Sequence, residues 1–274
     1  MNSAINKIIC SAALFLLAFT CRADWPVGKG RTSLIASYNY FYSSKYFDAN
    51  GKLASFNPGD KFQSHFYGLT MVHGLGRRLD VVANLPFIAQ DQVSNGIRKT
   101  NSGVGDISVG LAYHFPSAEF QKHLTIKAQV IIPTYENNKT PELGYASKGL
   151  QATVNYSFTP FKQSFAVIEG SYTRFIDYAE GPNQYRGAFT FGRSLNKYSL
   201  VTFNFAHQVS ESVNTVFNPN PQATRNFSSG LLTFAYGRKI SRTLTPYLQG
   251  AYTLYGKNIG LGMSASVFLV MKLP

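Results

Sequence analysis

Leu79-Asp-Val-Val-Ala-Asn-Leu-Pro-Phe-Ile-Ala-Gln90 alternates at period two, so that Leu79, Val81, Ala83, Leu85 and Phe87 share one face and Asp80, Val82, Asn84 and Pro86 the other. Successive side chains of a β-strand point to opposite sides, so this stretch reads as a strand with one apolar and one mixed face. The next stretch repeats it: Ile107, Val109, Leu111, Tyr113 and Phe115 oppose Asp106, Ser108, Gly110, Ala112 and His114. In residues 123 to 134, Leu124, Ile126, Ala128, Val130 and Ile132 oppose Thr125, Lys127 and Gln129. Near the end, Leu261, Met263, Ala265, Val267, Leu269 and Met271 oppose Gly262, Ser264, Ser266 and Lys272.

Extending the pattern outward predicts strands over 32–43, 61–73, 79–90, 103–115, 123–134, 149–158, 164–176, 185–193, 198–209, 226–236, 244–255 and 260–272. No segment in this span carries a capped apolar stripe of helical period, and the chain reads as all-β. The connections alternate in length. Odd-numbered ones run 17, 12, 14, 8, 16 and 4 residues, and even-numbered ones 5, 7, 5, 4 and 7. Short turns at one rim and longer loops at the other mark an antiparallel transmembrane β-barrel, with the turns periplasmic and the loops extracellular. A Gly followed by Leu or Ala recurs at Gly68, Gly110, Gly149, Gly187, Gly230 and Gly260, spaced by about one strand-turn-strand-loop unit. In barrel strands such glycines relieve crowding, and Gly187 and Gly230 fall on the opposite face from Gly68 and Gly110.

Composition decides which side of the sheet faces out. At 45% hydrophobic and 14% charged, the chain is too apolar to be disordered and too poorly charged to clothe a soluble barrel. Past the first two dozen residues nothing approaches the roughly 18 to 20 apolar residues of a spanning helix. Only helices and closed barrels satisfy every backbone polar group inside a bilayer. The apolar faces are therefore expected against lipid, with Asp80, Asn84, Asp106, Lys127, Gln129, Asn155, Glu169, Arg186, Asn204 and Gln249 in a wet lumen. Aromatic residues near strand ends, among them Tyr38, Tyr40, Phe41, Tyr42, Phe62, Phe66, Tyr67, Phe87, Tyr113, Phe115, Tyr156, Tyr236 and Tyr252, are expected in interfacial girdles.

Lys7, the uncharged run Ile8–Thr20 and Cys21-Arg22-Ala23 read as a secretory signal peptide over 1–23, with a lipid-anchored Cys21 disfavoured by Thr20 before it, and 24–274 is expected to be one barrel domain. Both cysteines, Cys10 and Cys21, fall in the removed segment, so no disulfide, thiolate nucleophile or Cys-ligated metal is expected. Losing Lys7 and Arg22 lowers the net charge from +13 to +11. The cations are scattered through turns and loops, as at Arg77-Arg78, Arg98-Lys99, Lys197 and Arg238-Lys239, without a run or a helix to carry them into a groove; nucleic acid is not an expected partner. An even strand number places both termini in the periplasm.

Tyr67-Gly-Leu-Thr-Met-Val-His-Gly-Leu-Gly-Arg-Arg-Leu-Asp-Val-Val-Ala-Asn-Leu-Pro-Phe87, followed by Gly103-Val-Gly-Asp-Ile-Ser-Val-Gly-Leu-Ala-Tyr-His-Phe115, resembles a family of bacterial outer-membrane proteins named as transporter-like proteins of the meta-pathway of phenol degradation. The strand Lys127–Thr134, ending Ile-Ile-Pro-Thr, is similar to the next strand of that family, with Tyr135 where members commonly carry Gly. The resemblance is close over 62–135 and loose elsewhere. It implies an outer-membrane barrel that passes small hydrophobic or aromatic compounds, and it brings no catalytic residues and no cofactor. Expected partners are outer-membrane lipid and lipopolysaccharide, the small-molecule solute and the barrel assembly machinery. The C-terminal Met271-Lys-Leu-Pro274 departs from the aromatic ending usual in such barrels.

Other chemistry is thinly supported. Gly103-Val-Gly-Asp106 precedes no helix and so is not a dinucleotide fingerprint. His65, His73, His114, His123 and His207 stand singly, without metal-ligand spacing. His207 with Asn204 and Ser210 is the nearest approach to the hydrolytic set of a lipid-modifying enzyme. Two functional classes follow: a passive channel whose lumenal charges either select solutes or neutralise one another, and a surface enzyme or structural barrel with an occluded lumen.

Overall fold

The computed structural model describes residues 25–119, 121–177 and 181–274. The signal segment expected at 1–23 lies outside them. Fourteen strands form one sheet: β1 (Thr32–Phe47), β2 (Leu53–Ser55), β3 (Lys61–Gly74), β4 (Leu79–Ser94), β5 (Ile97–Val104), β6 (Ile107–Pro116), β7 (Lys122–Ile132), β8 (Gly149–Phe158), β9 (Ser164–Phe175), β10 (Asn183–Ser194), β11 (Ser199–Glu211), β12 (Phe227–Arg238), β13 (Leu244–Lys257) and β14 (Ile259–Leu273). Each wall strand pairs antiparallel with its neighbours, and β14 returns to β1, from Thr32 opposite Leu273 to Phe47 opposite Ile259. The wall is therefore a closed twelve-stranded barrel, with β2 and β5 as additions at its long-loop end. Closure leaves no unpaired edge among the twelve wall strands, which is what a bilayer demands.

The side-chain alternation turns outward as the composition requires. Leu69, Leu85, Leu111, Val130, Val154, Ile168 and Leu248 are exposed on the outer face. Their strand neighbours Phe62, Asp80, His114, Thr125 and Asn155 are buried on the inner one. Phe41, Phe62 and Phe66, expected in a girdle, face the lumen instead. Phe41 lies flat across Gly262 of β14, where a Cβ would strike its ring, and packs edge-on to Phe62 at 6.1 Å. A glycine opposite an aromatic lets the ring cover bare backbone.

The expected strand 103–115 is divided. Residues 97–104 fold back as β5 on the upper half of β4, and β6 pairs with its lower half. The signal was Asn95-Gly96, both with positive φ (51° and 74°), the pair that makes a tight hairpin turn. Pro86 sits at the seam. Its carbonyl accepts the N–H of Gly105, so its ring nitrogen faces the same side, where the ladder passes from β6 to β5 and no donor is required.

Candidate functional site

The lumen is built from three layers. At mid-height the inner face carries neutral hydrogen-bonding groups joined across strands. Thr70 Oγ1 donates to Asn84 Oδ1 at 2.7 Å, Asn84 Nδ2 donates to Ser108 Oγ at 2.7 Å, and Gln129 Nε2 donates to the same hydroxyl at 3.3 Å. Asn204 Nδ2 donates to Thr190 Oγ1 (2.8 Å) and Ser266 Oγ to Asn39 Oδ1 (2.9 Å). Glu169 and Arg186 form an ion pair on adjacent strands. A cavity of about 680 Å³ occupies this level; Asn39, Thr70, Asn84, Asp106, Ser108 and Arg186 line it together with Phe41, Phe66, Leu143, Tyr145, Phe175 and Phe227. Its lining is mixed, more aromatic and aliphatic than polar, as a site for a compact amphipathic molecule should be.

At the long-loop end two loops, 133–148 and 212–226, fold into the mouth. Tyr145 donates its hydroxyl hydrogen to the Thr224 carbonyl (2.7 Å) and accepts from Gln184 Nε2 (2.8 Å). Asn220 Nδ2 donates to the Glu142 carbonyl and to Gln90 Oε1, while Gln90 Nε2 donates to Gln222 Oε1. The tip 218–224 is shaped by two Asx turns: Asn218 Oδ1 accepts from the N–H of Asn220, and Asn220 Oδ1 from that of Gln222. Asp106 is hydrogen-bonded to the Tyr135 hydroxyl beneath this loop. Burial, followed by the charge of Asp106, raises Tyr135 above the ordinary tyrosine value. Burial alone accounts for most of the rise at Tyr145. Burial also raises Glu142 above the usual carboxylate range, opposed by Arg225.

At the short-turn end the N-terminal segment enters the barrel. The Val27 N–H donates to Asp80 Oδ2 (3.1 Å), and the same oxygen meets His114 Nε2 at 3.0 Å. His114 Nδ1 lies 2.9 Å from Thr125 Oγ1. Trp25 packs on the His123 ring with centroids 3.9 Å apart. Lys29 makes a parallel bridge to Gly74, whose missing side chain leaves room for the Gly28 backbone.

The residues expected in the lumen lie on its inner face but in different settings. Asn84, Asp106 and Arg186 line the cavity. Gln129 joins it through Ser108, Glu169 through Arg186, and Asn204 through Thr190. Gln249 is in register with Ser266, next to Asn39. Asp80 stands apart at the short-turn end, and half-buried Lys127 and buried Asn155 lie on inner faces of β7 and β8. The proposed hydrolytic trio does not assemble. Asn204 and Ser210 point inward, bonded to Thr190 and to the Arg225 carbonyl, while His207 points outward to the Tyr255 hydroxyl at 3.1 Å. The roles of Tyr145, Leu143, Asn220, Gln222 and the segment Trp25–Val27 escaped sequence reading. Loops that fold inward carry no periodicity to betray them.

Residues 36–255 match the profile of the protein family described as "Putative MetA-pathway of phenol degradation". No curated protein sequence matches the chain. Among solved structures the barrel is similar to the COG4313 outer membrane channel from Pseudomonas putida F1, at 12% identity and a TM-score of 0.75 over 93% of this chain and 100% of that one. It is also similar to the NanC porin (12% identity, TM-score 0.54, 88% of this chain and 100% of that one). The KdgM porin in complex with disordered oligogalacturonate matches at 5% identity and a TM-score of 0.52, over 87% and 98% of the two chains. At such identities the shared property is the fold, that of outer-membrane barrels.

Proposed function

The chain belongs to this phenol-degradation family, and on that premise we propose that it is a passive outer-membrane channel for small amphipathic solutes, aromatic compounds among them. The observation that carries the reading is the cavity inside the closed wall, where neutral amides and hydroxyls face Phe41, Phe66, Phe175 and Phe227. Such a lining offers an aromatic ring somewhere to rest and its substituents something to bond, with no deep charged trap to hold it. Weak, multiple contacts are what transit requires. Arg186 and Glu169, in contact at this level, neutralise each other, and the Tyr135 hydroxyl occupies the Asp106 carboxyl with a hydrogen bond.

The short turns are assigned to the periplasm, which puts the Trp25 segment at the inner mouth and the two infolded loops at the outer one. Both ends are then narrowed at rest, and passage requires displacement of the Tyr145–Thr224 contact or its equivalents. This favours a gated channel over a permanently open pore. An enzyme on the outer wall is disfavoured by the separation of His207 from Asn204 and Ser210. Planar-bilayer recording of the purified barrel, with uptake of an aromatic substrate by cells with and without it, tests the reading. Discrete conductance steps and protein-dependent uptake are expected; a silent bilayer together with unchanged uptake would return the protein to the structural class.

A further inference from the structure

Four of the five short turns, 75–78, 159–163, 195–198 and 239–243, hold Arg77, Arg78, Lys162, Lys197, Lys239 and Arg242 and neither Asp nor Glu. All six cations are exposed. Among the described residues none of them is in an ion pair, whereas the long-loop end pairs Arg98 with Asp91 and Lys148 with Asp177. The fifth turn, 117–121, carries Glu119 close to Lys122. The first four turns thus carry six cations with no carboxylate of their own to offset them.

Three of these turns are copies of one design. In each, the first two N–H groups reach the carbonyl that opens the next strand: Leu75 and Gly76 to Leu79, Leu195 and Asn196 to Ser199, Ile240 and Ser241 to Leu244. The second position is explained by that geometry, since Asn196 Oδ1 and Ser241 Oγ accept the N–H groups that follow. The backbone gives no reason for the other two choices. The first residue is a large aliphatic left in the open, with Leu75 49%, Leu195 56% and Ile240 68% exposed. The third is always a cation, Arg77, Lys197 or Arg242. An aliphatic side chain beside a long cationic one suits the boundary where acyl chains meet phosphates, because each finds its own solvent within a few ångströms.

We propose that this rim binds the headgroups of anionic phospholipids, with Arg77, Lys197 and Arg242 on the phosphates and Leu75, Leu195 and Ile240 seated among the acyl chains beneath. The proposal rests on the barrel spanning a bilayer and not on which compartment the short turns face. Charge complementarity selects the partner: unpaired cations repeated around the circumference match a surface of repeated phosphates better than one acidic protein docked on one side.

Electron spin resonance on the barrel folded into vesicles, with spin-labelled phosphatidylglycerol or phosphatidylcholine of the same acyl chain, reads the ratio of the two lipids at the protein surface. The wild type is expected to favour phosphatidylglycerol by about threefold. In R77Q/R78Q/K197Q/R242Q the ratio should fall close to one. The same number of substitutions at the other end, K45Q/K52Q/K99Q/K257Q, should leave it at the wild-type value. No preference in the wild type, or a preference that survives the first variant or falls equally in both, overturns the proposal. If the quadruple variant does not fold, R77Q/R78Q alone should give an intermediate ratio, and an unchanged one counts against the idea. A chain that does not insert into vesicles at all would instead sink the channel reading, which separates the two failures.

Discussion

Asp80 Oδ2 holds two partners at once, the N–H of Val27 at 3.1 Å and His114 Nε2 at 3.0 Å. The other ring nitrogen of His114, Nδ1, lies 2.9 Å from Thr125 Oγ1, so the imidazole is held at both nitrogens. One carboxylate therefore ties the N-terminal segment to the wall at a point on the inner face where Asp80, His114 and Thr125 are all buried.

Asp80→Ala should release that segment. Losing a buried, charge-assisted acceptor costs about 1.5 to 3 kcal/mol, enough to depopulate the docked state. Trp25 is the single tryptophan, so its emission should shift to the red and become accessible to a soluble quencher while the barrel remains folded. Unchanged emission would mean that Trp25 and His123 suffice to hold the segment.

Tyr145→Phe removes the hydroxyl that bridges Gln184 and the Thr224 carbonyl. About 1 kcal/mol of loop docking is lost, or roughly a fivefold shift in an open–closed equilibrium. Single-channel records should show a higher open probability at unchanged unitary conductance.

Glu142 gives the loop a pH dependence. Burial raises its carboxyl above the ordinary value, so the docked state prefers the neutral form. That contribution to docking is complete below the normal glutamate pKa and is lost as pH rises through the docked-state value. Opening events should therefore become more frequent as pH is raised from acid toward neutrality, and Glu142→Gln should flatten the profile. A slope of opposite sign would show that Arg225, which pulls the other way, dominates.

Breaking the ion pair in the wall changes what the lumen attracts. Glu169→Gln leaves Arg186 facing the cavity unpaired, so reversal potentials in a salt gradient should move toward anion selectivity. Arg186→Gln should move them the other way.

Gly110 and Gly187 belong to the same repeat yet differ in what a methyl group would meet. At Gly110 it would strike the Ala128 carbonyl and the Gln129 backbone; at Gly187, opposite Gly170, it meets open space. Gly110→Ala should lower the unfolding temperature of the barrel in detergent by several degrees or prevent folding, and Gly187→Ala should be close to neutral.

That contrast also shows where the sequence could be read and where it could not. Period-two patterning specified the wall because one face must meet lipid along its whole length, and a slip of one residue would bury the wrong side chains. Leu79–Gln90 and its neighbours carried that constraint in plain view. The cavity was only half visible. Asn84, Asp106 and Arg186 could be found because they interrupt an apolar pattern, whereas Tyr145, Leu143 and Gln222 sit in connections, where position depends on long-range contacts that no local rule encodes. His114 was legible as a lumenal residue, but its bond to Asp80 joins positions 34 apart in the chain and needed the register between β4 and β6. The Asn95-Gly96 turn was readable and outweighed by the alternation that continues through 103–115.

Thr32 pairs with Leu273, so the first wall strand begins beside the place where the last one finishes. A short covalent tether between those ends, with the polypeptide reopened at 195–198, would preserve every rung of the cylinder. The seam carries a register shift between Ser43 and Lys45, as the β12–β13 pairing does at Gly230, and its ladder otherwise runs unbroken, so circularly permuted versions should assemble into the same ring.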